Sequence, residues 1–198
     1  MKVVCSDLES VIFPEIWIDV AQKTKISQLK LTTREVPDYY LLMKKRIEVL
    51  RKNNIRLKDI QKIIQKIEPL KGAEKFLKWV RERFQLIILT DSFYEFLIPV
   101  VKRLNYPTVF CNSLKVNKEG FIVDCDIKKD LKLRTVNYLK SLGFKTIAIG
   151  DSYNDIRMLK ASDFGILFKP PLEIAQKFPN FFQTQSYSHL RAKLNQLK

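Results

Sequence analysis

Three short apolar runs in this chain each end in acids or hydroxyls, and that repetition limits the fold more than any other feature. Val3–Ser6 runs into Asp7-Leu8-Glu9, Leu86–Leu89 into Thr90-Asp91-Ser92, and Thr146–Ile149 into Gly150-Asp151. Runs this short and this apolar are too brief for helices and read as strands buried on both faces. Helical spacing fills the intervals: Ala73–Arg83, Phe93–Asn105, Leu133–Leu142 stopped by Gly143, Tyr153–Ala161 and a closing Ser188–Leu197, with a further strand at Phe164–Phe168. Leu114–Val116 and Phe121–Ile127 flank Asn117-Lys118-Glu119-Gly120, a hairpin-like turn. Strands alternating with helices predict an α/β fold, a three-layer Rossmann-like parallel sheet covered on both faces. In such sheets reactive groups gather at the carboxyl ends of the strands.

One stretch breaks the alternation. From Glu15 to Ile67 the pattern is helical throughout: Ile16, Val20 and Ala21 share one face, Leu41, Leu42, Ile47, Val49 and Leu50 follow, then Leu57, Ile60, Ile63, Ile64 and Ile67. Pro37 and Asp38 mark the start of the second of these helices, and Pro69 and Gly72 end the region. The expected organisation is a core domain of residues 1–14 and 69–198 with a small helical cap, residues 15–68, inserted after the first strand.

A net charge of +15 raises the question of nucleic acid, but the lysines are spread along the chain without zinc-finger spacing or an aromatic nucleic-acid signature, so none is the expected partner. Cys5, Cys111 and Cys125 are too few and scattered for a disulfide framework and read as reduced thiols of a cytoplasmic protein. No apolar run approaches the length of a membrane span, and the N-terminus lacks a signal-peptide pattern.

Asp7 and Asp151 place carboxylates at the ends of separate buried strands, a pairing that a hard divalent cation makes tolerable. Thr90 offers a hydroxyl to a phosphate oxygen and a nearby lysine offers a point charge. Glu9, two residues past Asp7, lies on the same side of an extended segment and suits acid/base work; a carboxylate attacking phosphorus would form an aspartyl phosphate.

Asp7-Leu8-Glu9, Thr90, a lysine near 132 and Gly150-Asp151-Ser152-Tyr153-Asn154-Asp155 together resemble the motif set of the haloacid dehalogenase superfamily, whose helical cap also sits between the first two motifs. Pro14-Glu15-Ile16-Trp17, Thr32-Thr33-Arg34, Pro37-Asp38-Tyr39 and Leu42 through Arg46 extend the likeness to a bacterial subgroup with phosphoserine phosphatase and homoserine phosphotransferase activity. Glu9 departs from the superfamily's usual second aspartate but agrees with this subgroup. The resemblance implies Asp7 as nucleophile and Mg2+ ligand, Glu9 as acid/base with its carbonyl on the metal, Asp151 as a second metal carboxylate and Asp155 orienting the metal's waters. It implies Thr90, Asp91, Asn154 and the lysine at the phosphoryl group, with Glu15 and Arg46 on the substrate's ammonium and carboxylate and Tyr39 and Met43 lining the pocket. Lys132 fits the family's local pattern, with Lys128 and Lys129 as competitors. Phosphoserine is the implied substrate and homoserine an acceptor, with hydrolysis versus transfer open and a homodimer admitted. The alternatives are a phosphatase of another small phosphometabolite, or a basic nucleic-acid-binding protein on a degenerate phosphatase fold.

Weighed singly, several of these residues have plain structural readings. Tyr39 and Met43, four apart, could be a packing pair, and Arg46 one more solvated charge. Trp17 reads as cap–core packing, Cys5 as a small core residue and His189 as surface.

Overall fold

The computed structural model describes residues 1–33 and 35–197, so Arg34 of the resemblance motif lies outside the described residues. Seven strands, β1 (Lys2–Ser6), β2 (Gln85–Phe93), β3 (Thr108–Val116), β4 (Ile122–Asp126), β5 (Lys145–Gly150), β6 (Phe164–Phe168) and β7 (Phe182–Thr184), form one sheet in the order β4-β3-β2-β1-β5-β6-β7. Neighbours are parallel except β3 and β4, which make an antiparallel hairpin. The helices are α1 (Ile16–Thr24), α2 (Tyr39–Lys52), α3 (Leu57–Ile64), α4 (Ala73–Arg81), α5 (Tyr94–Arg103), α6 (Leu131–Ser141), α7 (Ile156–Ala161), α8 (Leu172–Lys177) and α9 (Tyr187–Gln196).

The period-two alternation of a strand divides the core into two apolar layers. Val4 of β1 faces one layer with Ile88, Ile147, Ile149 and side chains of α4, α5 and α9, among them Phe76, Phe96 and Leu194. Val3 and Cys5 face the other, with Leu89, Ala148 and Leu167 against Val136, Met158 and Ile174 of α6, α7 and α8. The uninterrupted apolarity of β1 and β5 follows, because both faces are covered. Cys5 is level with Ile87 on β2 and Ala148 on β5, so the carboxyl ends of the three central strands open side by side.

The described residues between 16 and 64 carry helices and no strand, as the periodicity predicts. Asp38 caps α2 by accepting from Leu41 N at 3.0 Å, which explains a helix start directly after proline. These helices share a continuous apolar cluster with the sheet layer. α3 packs on α5 and α2 on β4. Leu57 N donates to Gly120 O of the β3–β4 turn at 3.0 Å, and Gln61 Nε2 donates to Glu95 O at 2.8 Å. Phe96 is the aromatic hinge of this contact: its ring meets Trp17 edge-on at 5.4 Å and Phe93 at 5.7 Å.

The structure departs from the sequence reading where local signals are weak. β2 continues through Thr90, Asp91 and Ser92 to Phe93, with its register against β3 shifting between Leu89 and Phe93. A bulge of this kind re-aims side chains, which is its use at a site. β3 begins at Thr108, six residues earlier than its apolar core suggests. Tyr153–Asp155 is a 3-10 turn leading into α7 rather than the first turn of one helix. α8 and β7 are six and three residues long, too short for periodicity to reveal. Cys5, Cys111 and Cys125 are free thiols, and burial pushes Cys5 up to about 12. Among the described residues no helix is long and apolar enough to cross a membrane.

Because Phe96 is fully buried between the helical insert and the core, Phe96→Ala should lower unfolding free energy by about 3–5 kcal/mol in denaturant titration. A loss below about 1 kcal/mol would show that this aromatic junction does not hold the insert down.

Candidate active site

Asp7 leaves β1 with its backbone N donating to Ile149 O at 2.9 Å, which ties it to the neighbouring strand. Its Oδ1 accepts from Leu8 N at 2.8 Å and stands 3.0 Å from Lys132 Nζ. The chain then turns sharply: Ser10 takes a left-handed conformation (φ 59°) and its N donates to Phe13 O at 2.6 Å. That turn returns the chain toward α1 and leaves Glu9 and Glu15 on the wall of the same cavity.

The loop after β5 is organised by Asp155, which is fully buried. Its Oδ2 accepts from Asp151 N, Ser152 N and Ser152 Oγ at 3.0, 3.1 and 3.2 Å, and its Oδ1 accepts from Lys132 Nζ at 2.8 Å. This fold-back explains the glycine before Asp151: a Cβ on Gly150 would lie 2.4 Å from Asp155 Cβ and Cγ. Both oxygens of Asp155 are occupied, so it stands as a positioning residue for Lys132 and the Asp151 loop.

Lys132, in the first turn of α6, is the lysine that reaches the cluster; its side chain is 6% exposed, and it also lies 3.3 Å from Asp91 Oδ2. Lys128 pairs with Asp126 at the surface and Lys129 is exposed. Thr90 is buried within the β2 bulge, its Oγ1 accepting from Ser92 N at 3.2 Å. Asp91 O accepts from Tyr39 OH at 2.9 Å and from Asn112 Nδ2 at 2.7 Å.

These groups line one cavity of about 460 Å³ together with Arg46, Tyr39 and the exposed Asn154. The structure therefore brings together Asp7, Glu9, Glu15, Tyr39, Arg46, Thr90, Asp91, Lys132, Asp151 and Asn154. Of the residues expected at the site, Asp155 and Met43 do not line the cavity: Asp155 holds Lys132 and the Asp151 loop, and Met43 is a correction. It is fully buried and lies behind the wall, its sulfur 3.8 Å from Arg46 Nη1, because its helical position turns it into the apolar layer. Trp17 moves the opposite way: read as packing, it lines the cavity with its ring beneath Arg46. No motif singles out Asn112; the polar pair Asn112-Ser113 within the otherwise apolar stretch Val109–Leu114 is the only sequence signal for it.

The cavity's electrostatics oppose those of the chain. Carboxylates outnumber bases on its walls although the whole chain carries +15. Burial, and then Asp155, Asp151 and Asp91, push Asp7 well above the ordinary carboxylate range against the pull of Lys132. Burial and Asp155 push Asp151 up to about 7. Enclosure, the charge of Glu15 and a hydrogen bond with it push Glu9 up to about 8. Burial works against the charge of Lys132, but Asp155, Asp7 and Asp91 outweigh it and hold the ammonium protonated. Oxygens of Asp7, Asp151 and Asp155 lie within 4.8 Å of one another. A hard divalent cation fits this set, which contains no imidazole or thiol, and Asp7 and Asp151 are the residues that would hold it.

A sheet of this topology, with paired acids at its central strand ends and helices inserted after β1, defines a hydrolase class. The chain belongs to the haloacid dehalogenase-like hydrolases, whose family model matches residues 4–163. It is 44% identical over 192 residues to phosphoserine phosphatase ThrH of Pseudomonas aeruginosa, covering 96% of this chain and 94% of that one. It is 43% identical over 192 residues to a phosphoserine phosphatase of Pseudomonas syringae pv. tomato, covering 96% and 81%. The fold is also that of a substrate-bound phosphoserine phosphatase complex, with a TM-score of 0.76 at 21% identity over 100% of this chain and 98% of that one.

The shared ammonium gives a direct stability test. Lys132→Met should cost about 3–5 kcal/mol in chelator-treated protein, because Asp7 and Asp155 lose their buried countercharge. Asp7 already sits above its ordinary 3.8, and removing Lys132 raises it further. The folded form then binds more protons than the unfolded, so stability falls as pH rises from the ordinary carboxylate range upward and the deficit is smallest in acid. Denaturant titrations across pH check this; a deficit that is absent, or that grows toward acid, would contradict it.

Proposed function

We propose that this protein is a magnesium-dependent phosphoserine phosphatase that works through a phosphorylated Asp7 and also transfers the phosphoryl group to homoserine. The observation that carries the reading is Asp7 held 3.0 Å from Lys132 at the floor of a cavity whose outer walls carry Glu15 and Arg46. The near-full-length likeness to phosphoserine phosphatase ThrH supports the same substrate here.

A phosphoserine dianion would place its phosphoryl oxygens against Lys132 and the Thr90 hydroxyl, with Asn154 at the edge. A cation held by Asp7 and Asp151 would supply the positive charge that lets a phosphate approach these carboxylates. Arg46 is suited to the substrate carboxylate by its planar fork, and Glu15 to the ammonium. Tyr39, its phenol pushed up by burial, Glu9 and Asp91, remains a hydrogen-bond donor on the wall.

An oxygen of Asp7 attacks phosphorus, and the bond from phosphorus to the serine oxygen breaks. Glu9, raised to about 8, carries a proton at neutral pH and gives it to that departing oxygen. Left as a carboxylate, Glu9 then takes a proton from water as the water oxygen attacks phosphorus. Phosphate leaves and Asp7 is restored. Homoserine, presenting the same ammonium and carboxylate to Glu15 and Arg46, would place its hydroxyl where water attacks, at an effective concentration far above its bulk value. A cytoplasmic setting agrees with three free thiols and with the absence of a membrane-length helix among the described residues.

Asp7→Asn should lower phosphate release from phosphoserine at least about a thousandfold while the circular dichroism spectrum is unchanged, since an amide cannot form the acyl phosphate. Chelation should abolish activity in the unmodified enzyme and magnesium should restore it. With phosphoserine as donor and homoserine added, phosphohomoserine should appear at the expense of free phosphate. Near-native turnover by the variant would refute the covalent route, and unchanged phosphate release without phosphohomoserine would refute transfer.

A further inference from the structure

Arg46 is 6% exposed, yet its guanidinium is only partly engaged. Nη2 donates to Leu31 O at 2.6 Å and Nη1 lies 3.8 Å from Met43 Sδ. Nε is buried and has no hydrogen-bond partner among the described residues. A buried, unpaired N–H on a charged group is costly, and its position on a cavity wall suits a donor for a ligand. Trp17 supplies what holds the group open. Its ring centre is 4.4 Å from the guanidinium carbon, and the ring is itself fixed edge-on by Phe96 at 5.4 Å. Both residues line the cavity that also holds Glu9 and Glu15, and both acids act on the charge of Arg46.

A ring stacked on a guanidinium holds its plane without using any of its N–H groups. Hydrogen bonds donated to a side-chain carboxylate would do the opposite: they would anchor Arg46 and consume the donors a substrate needs. Without the ring, the long side chain is free to close onto Glu9 or Glu15.

We propose that Trp17 is a positioning residue for substrate selection: its ring fixes the Arg46 guanidinium with donors free, so that the site favours phosphomonoesters bearing a carboxylate. This rests on the reading of Arg46 as the carboxylate-binding group.

The test compares phosphoserine with phosphoethanolamine, which keeps the ester and the ammonium but lacks the carboxylate. Steady-state constants are measured for the unmodified enzyme, Trp17→Leu, Trp17→Phe, Arg46→Ala and the Leu/Ala double variant, with thermal midpoints alongside. Trp17→Leu should raise KM for phosphoserine about tenfold with kcat within about twofold, and should narrow the kcat/KM preference for phosphoserine by about the same tenfold. Trp17→Phe should recover most of that preference, and Trp17→Leu should add nothing once Arg46 is alanine. Equal losses on both substrates, or no recovery with phenylalanine, would overturn the proposal. If Arg46→Ala narrows the preference and Trp17→Leu does not, the positioning role alone falls. If Arg46→Ala leaves the preference intact, the carboxylate reading of Arg46 fails and takes this one with it. Should Trp17→Leu not fold, Trp17→Met, bulky and apolar without an aromatic face, is read in its place by the same criteria.

Discussion

Lys132 holds its ammonium 2.8–3.3 Å from the carboxylates of Asp155, Asp7 and Asp91, groups that arrive from three separate strand ends. Carboxylates brought this close in a buried place repel one another, and burial alone disfavours their charged forms. The ammonium makes the juxtaposition tolerable, and the fold fixes it: α6 starts where its second residue can reach across the carboxyl end of the sheet. Asp155 completes the arrangement by joining Lys132 to the Asp151 loop, and Gly150 is the residue that lets it come near enough. Even so the cluster keeps a surplus of negative charge, and burial together with that surplus leaves Asp7 and Asp151 above their ordinary range. That residual surplus is what a cation and a phosphoryl-binding ammonium are together suited to answer.

The same cluster explains why a chain with a net charge of +15 can present an acidic interior cavity. Net charge describes the surface and long-range attraction; the chemistry lies in the few groups the sheet brings together. The inserted helices extend this logic outward. They carry Arg46, Trp17 and Tyr39, and Tyr39 is hydrogen-bonded directly to the backbone of Asp91 at 2.9 Å. The outer wall is therefore registered against the strand end that presents Thr90 and Asp91, and the two walls of the cavity are linked through a single backbone carbonyl that Asn112 also engages.

Much of this was legible in the sequence because it lies where local patterns are strong. Strand ends bearing acids and a Gly-Asp motif are signals of short range, and they placed Asp7, Thr90 and Asp151 in one cavity; Lys132 was legible over Lys128 and Lys129 only through its likeness to the family's pattern. The helical insert was legible from its period, and the start of α2 from Pro37-Asp38. What periodicity cannot say is which side of a buried face borders a cavity. Met43 and Trp17 both belong to the inward faces of their helices, and only packing against Phe96 and Arg46 sends one behind the wall and the other into it. The β2 bulge and the role of Asn112 depend on pairing with β3, a contact across sequence that no local pattern encodes. α8 and β7 are held by tertiary contacts rather than by propensity, as elements this short must be.

The central claim is that Asp7 itself carries the phosphoryl group. Enzyme mixed with phosphoserine and quenched within one turnover can be reduced with borohydride, which converts an acyl phosphate to an alcohol and leaves a free carboxylate untouched. Peptide mass spectrometry should then find the reduced residue at Asp7 and nowhere else, and only when phosphoserine was present. Reduction at another residue, or an unmodified Asp7 under conditions in which phosphate is being released, would contradict the account.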